Sequence, residues 1–141
     1  MAAHAEIVSS VALLVPAAFA ATRARADGLA VAHATAIFLS AALSIVYWST
    51  ADREALTWDR VAAHVRIVVD VAALAVALTR NARGSFLPVL IATLALAFYT
   101  AKSHVHVSSG DERTVSLLHT TFHILGSIGE IALINVAYPA R

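Results

Sequence analysis

The chain has 141 residues, 60% of them hydrophobic and only 13% charged, with a mean hydropathy of +0.77. A soluble domain is typically about a quarter charged, so an ordinary soluble enzyme is excluded. The 10 Lys+Arg against 9 Asp+Glu leave +1 and no basic tract, which excludes a nucleic-acid-binding surface. There is no cysteine, hence no disulfide framework, thiolate metal site or thiol chemistry. The length suits a single domain over residues 1–141.

A spanning helix needs about 20 predominantly apolar residues. Five stretches qualify, and they predict an all-α integral membrane protein with helices over about 6–22, 29–49, 61–79, 85–100 and 114–138. Their apolar runs are continuous rather than alternating, which favours helices over a β-barrel. The first stretch resembles a signal peptide in its small residues around Phe19, Ala20 and Ala21. No basic residue precedes it, so it is read as a mature helix. The breaks carry the charges. Arg23, Arg25 and Asp27 follow the first helix, and Asp52, Arg53, Glu54, Asp59 and Arg60 follow the second. Arg80 and Arg83 follow the third, and Lys102 through Arg113, with Gly110, Asp111 and Glu112, follow the fourth. Short breaks predict antiparallel neighbours, and abundant alanine permits close helix contact. Basic residues divide almost evenly between the two ends, with Arg141 at the second, so the positive-inside rule sets no firm orientation.

This topology gathers the histidines at one end, here termed the first end, where the N-terminus lies. His4, His64, His104, His106, His119 and His123 fall in that half, and only His33 falls near the other. His119 and His123 are four apart and share a helix face, the spacing with which two imidazoles ligate one metal. They lie about 8 to 14 Å along their helix, with Ser44, Asp59 and His64 at comparable or shallower depth on neighbouring helices. Ionisable groups inside a membrane are costly and are functional candidates by default. The plainer readings are hydrogen bonding between helices for the histidine pair, an ion pair for Arg66 with Asp70, and Arg66 as structural partner for Glu130. His104 and His106 read as a solvated loop, His4 and His33 as incidental, and Trp48, Trp58, Tyr99 and Tyr138 as an interfacial aromatic belt.

The order Ser44-Ile-Val-Tyr-Trp48, Trp58-Asp59-Arg60 and Leu118-His-Thr-Thr-Phe-His-Ile-Leu-Gly126 resembles the CREST-type membrane hydrolases. That superfamily groups alkaline ceramidases, progestin/adiponectin receptors, haemolysin III proteins and myomaker-like proteins. The resemblance implies a zinc site and a lipid amide or ester as substrate. His119 and His123 would be ligands, Asp59 would handle the water, and Ser44 would face the oxyanion. The chain departs from that pattern in two places. The family histidine falls on Trp48, which leaves His64 as third ligand or a site without metal. The family core has seven helices where this chain offers five, and an oligomer could complete the site.

Three rival readings stand beside the hydrolase. Haem or quinone can sit between histidines on facing helices, with one of His119 or His123 paired to His64 or His33. The segment His123-Ile-Leu-Gly-Ser-Ile-Gly129 is similar to His-x-x-Gly segments of copper-resistance D-like domains. A proton- or ion-coupled carrier would use Arg66, Asp70, His123 and Glu130 as a polar track. A packing subunit would use the same residues only to specify helix pairing.

Overall fold

The computed structural model describes residues 2–23, 27–81, 83–109 and 111–139, with side chains from Glu6 onward. Arg25, Gly110, Arg141 and the side chain of His4 lie outside the described residues. The elements are α1 (Ala2–Ala12), α2 (Leu14–Arg23), α3 (Gly28–Thr50), α4 (Arg53–Arg80), α5 (Phe86–Ser108) and α6 (Glu112–Ala137). Five segments are long and apolar enough to cross a membrane: Glu6–Arg23, Gly28–Thr50, Arg53–Arg80, Phe86–Ser108 and Glu112–Ala137.

Proline and aspartate set most boundaries. Pro16 has no N–H for the Ala12 carbonyl and its ring crowds that group, so the first segment breaks at Leu13 into α1 and α2. Pro88 sits in the first turn of α5, where a missing N–H costs nothing, and Pro139 follows α6. Asp27, Asp52 and Asp111 are N-caps: Asp27 Oδ1 accepts from Leu29 N at 3.0 Å, Asp52 Oδ2 from Ala55 N at 2.9 Å, and Asp111 Oδ1 from Arg113 N at 3.1 Å.

These caps correct two expected boundaries. The break anticipated over residues 50–60 shrinks to Ala51 and Asp52, because Ala51 takes φ 54°, ends α3 in the left-handed conformation, and Asp52 at once starts α4. Arg53 through Arg60 are the first part of a helix, not a loop, with the charged residues exposed except for the half-buried Asp59. Likewise α5 continues to Ser108, so His104 and His106 lie on a helix and are exposed.

Side-chain pairs across the bundle give the alternating course. Ser10 in α1 meets Ser44 late in α3, and Lys102 late in α5 meets His119 early in α6. Arg23 and Arg80, at the ends of α2 and α4, meet Asn135 and Ala137 at the end of α6. Helix α6 is the hub, packed against α1, α2, α4 and α5, while α3 packs on α1, α2 and α4. The buried residues of α3 recur at Ala30, His33, Ile37, Ser40, Ala41 and Ser44, a three-four seam. Leu13, Ile37, Ala73, Ala77, Leu133 and Ile134 form the apolar core. The outer surfaces of α4 and α5 stay apolar and exposed, as at Val68, Val71, Phe86 and Leu96. Tyr138, read from the sequence as belt, is 3% exposed and stands edge-on to His33 with ring centroids 5.9 Å apart.

Candidate functional site

One face of α6 carries the polar interior. His119, His123, Ser127 and Glu130 are all buried at intervals of four, four and three, so they form a single stripe. At 1.5 Å per residue the stripe runs about 16 Å, over half of a hydrocarbon core of about 30 Å. It carries two separate clusters.

The first-end cluster centres on His119. Its Nε2 lies 2.9 Å from Glu6 Oε2 of α1 and 2.9 Å from Nε2 of His123. Its Nδ1 accepts from Lys102 Nζ of α5 at 2.9 Å. That bond places the proton of a neutral His119 on Nε2, where a single proton faces two acceptors. His123 Nδ1 is buried without a hydrogen-bond partner, and Glu6 Oε2 has the His119 imidazole as its neighbour. Ser44 of α3 shares a hydrogen bond of 3.1 Å with Ser10, whose hydroxyl donates to the Glu6 carbonyl at 2.8 Å. Ser44 also lies near the Asp59 carboxylate, which is in the field of His119, Arg60 and Lys102. The Trp48 ring packs edge-on to His119 at 5.7 Å between centroids.

The structure therefore brings Ser44, Asp59, His119 and His123 to one end of the bundle. It does not bring His64 to them. The His64 side chain is exposed, and Nδ1 donates to the Arg60 carbonyl at 2.6 Å within its own helix. The sequence reading passed over Glu6, which takes the place beside His119. Its signal was an acid four residues into an apolar helix, at the end where the histidines gather.

The second cluster is a closed ring of four. His33 Nε2 meets Glu130 Oε2 at 2.9 Å and Asp70 Oδ1 at 3.1 Å. Arg66 Nε meets Glu130 Oε1 at 3.0 Å and Asp70 Oδ2 at 3.6 Å. The expected pairings of Arg66 with Asp70 and with Glu130 are both present. His33, read as incidental, is fully buried at 0% exposure and completes the ring. Two acids and one arginine inside the spans left one cation missing, and His33 matches Glu130 in depth. Among the described residues, His33, Asp70 and Glu130 are also the one group of three or more potential ligands whose donor atoms all lie within 4.8 Å of one another. Glu6, His119 and His123 instead form a chain through His119.

The donor sets differ in what they accept. Arg66 already bridges both carboxylates of the ring, which suits an ion-pair network. At the first end the acids Glu6 and Asp59 stand with the cations Lys102 and Arg60, and the two histidines offer ring nitrogens. Two imidazoles and a carboxylate are a set that binds zinc in catalytic sites. The first-end residues match a zinc site in donor type, while their donor atoms run as a chain through His119 rather than all within 4.8 Å of one another. Comparison with protein-family models, curated proteins and solved structures finds no match for this chain.

Proposed function

We propose that this chain is a multi-pass membrane protein whose first-end cluster is a metal-dependent hydrolytic centre acting on lipid amides or esters. The observation that carries the reading is the convergence of Ser44, Asp59, His119 and His123 from three helices, with Glu6 Oε2 and His123 Nε2 each 2.9 Å from His119 Nε2. His119, His123 and Glu6 would hold the metal. A divalent ion bound there supplies Lewis acidity and lowers the pKa of water.

The chain's own residues do the remainder. A metal held by His119 through Nε2 would require that imidazole's proton on Nδ1, the nitrogen that here accepts from Lys102, and Lys102 stands near Asp59 and Glu6. The Asp59 carboxylate is the base that takes a proton from the attacking water, and Ser44 donates to the developing oxyanion. Trp48 closes one side of His119 and limits water there. The apolar outer faces of α4 and α5 would contact lipid, and a substrate at leaflet depth enters laterally between helices.

The test is metal analysis and a visible spectrum on detergent-purified protein, followed by turnover of a panel of lipid amides and esters. Near-stoichiometric zinc that is lost in His123→Ala and Glu6→Gln, with turnover lost in Asp59→Asn, is the expected result. A Soret band, or metal content unchanged by both substitutions, overturns the reading.

A further inference from the structure

We propose that the His33–Glu130–Arg66–Asp70 ring is a proton-binding site, loaded from the second end of the bundle and independent of the first-end metal centre. The ring contains two carboxylates and one fixed cation. With His33 neutral and both acids ionised the ring holds a net charge of minus one, and one further proton, on His33 or shared with an acid beside it, makes it neutral. An isolated buried charge is expensive and a paired one much less so. The ring therefore has two states that differ by one proton and by a large electrostatic change.

The geometry suits exchange rather than a static clasp. His33 Nε2 is shared between Glu130 Oε2 at 2.9 Å and Asp70 Oδ1 at 3.1 Å, so a proton there has two acceptors of nearly equal distance. Asp70 is 25% exposed while His33 and Glu130 are buried, so one member of the ring reaches its edge. Toward the second end, His33 Nδ1 and the Tyr138 hydroxyl are buried with no partner from the chain. Buried polar atoms of this kind are ordinarily met by water. Tyr138 stands edge-on to His33 and within the electrostatic field of Asp27 and Arg80 at the second end.

The charged groups facing His33 are Asp70 and Arg66 from α4 and Glu130 from α6. On α2, Arg23 is engaged with Asn135 at the second end, and on α1, Glu6 is engaged with His119 at the first.

The test is ¹⁵N NMR of histidine-labelled full-length protein in lipid bilayers over a pH series, with His33→Gln assigning the signal. The expected result is a reversible passage of His33 between imidazolium and imidazole. Its midpoint moves by about one pH unit or more in Glu130→Gln. Asp70→Asn, at the ring's exposed edge, gives the same readout should Glu130→Gln fail to fold. His119→Ala leaves the midpoint in place, and Tyr138→Phe slows exchange of the ring proton. One fixed protonation state wherever the fold persists overturns the proposal, as does a midpoint insensitive to both acid substitutions. A midpoint that follows His119→Ala, or a metal retained by His123→Ala and lost in Glu130→Gln, overturns it as well.

Discussion

Helix α6 presents two polar clusters on one face, His119–His123 toward the first end and Glu130 seven residues on, and they are built on opposite principles. The Glu130 ring is closed: each acid meets each cation, and the charges cancel when His33 is protonated. The His119 cluster is open: one ring nitrogen stands between two acceptors, Glu6 Oε2 and His123 Nε2, and His123 Nδ1 is buried without a partner. Each cluster keeps a buried imidazole nitrogen without a partner, His33 Nδ1 in the ring and His123 Nδ1 at the first end, so the difference between them lies in charge pairing. Arg66 closes the ring into an ion-pair network, whereas the first-end groups form a chain through His119.

Stability measurements should break this comparison most sharply. Glu130→Ala leaves Arg66 and His33 facing Asp70 alone and is expected to cost about 3–5 kcal/mol, read as lost folded yield or a lower unfolding midpoint in detergent. Replacing all four ring residues together with apolar residues of similar volume should restore most of that loss, because no charge is then left unpaired. At the open cluster, His123→Gln in the presence of chelator should cost only about 1 kcal/mol or less, the usual worth of a polar contact between membrane helices. If His123→Gln proves as damaging as Glu130→Ala, the two clusters are both structural and the contrast fails.

Much of this was legible in the sequence. Five apolar stretches gave the helices, and His119 and His123 at i, i+4 gave their shared face. The i, i+4 spacing gave Arg66 its partner Asp70, and the acid within the last span gave Glu130. Two features were hidden for physical reasons. Helix ends were misplaced where charges were taken for loop, because a cap needs only one aspartate: Asp52 and Asp111 restart the helix immediately, and charged side chains on a solvated first turn do not oppose it. The ligand set was hidden because spacing along one helix says nothing of which helix packs beside it. His64 and Glu6 both lie at a plausible depth, and only the placement of α1 against α6 chooses Glu6.

The helix contacts beneath the two clusters can be separated with glycines three apart. A methyl group on Gly129 would stand 3.1 Å from Ile91 Cγ2, where α5 rests on α6. A methyl group on Gly126 meets nothing closer than Arg66 Nη2 at 3.9 Å. Gly126→Ala should therefore stabilise by up to about 1 kcal/mol through helix propensity. Gly129→Ala should gain the same propensity but lose about 1–3 kcal/mol to overpacking, a net loss of α5 docking. Thermal unfolding of the two variants, with cross-linking between α5 and α6, checks the opposite signs.

The smallest expected effect lies outside the membrane spans and serves as a control for acid dependence. The Asp111 carboxylate accepts from the Thr114 hydroxyl at 2.5 Å and from the backbone N–H of Thr114 and Arg113, and these bonds hold its carboxyl below the usual carboxylate range. A group lowered on folding contributes stability above its unfolded value, about 3.9 for aspartate, and that contribution fades as pH falls through the lower folded value. Asp111→Asn keeps a side-chain oxygen for the cap and removes the ionisation. The variant should match wild type near neutral pH and lose less stability as pH falls below about 4, measured as unfolding midpoints across an acid series. Asp111 is fully exposed, so added salt should shrink the difference. Acid sensitivity that survives in Asp111→Asn then belongs to the buried carboxylates, and comparing it in His33→Gln and His123→Gln backgrounds apportions it between the closed ring and the open site.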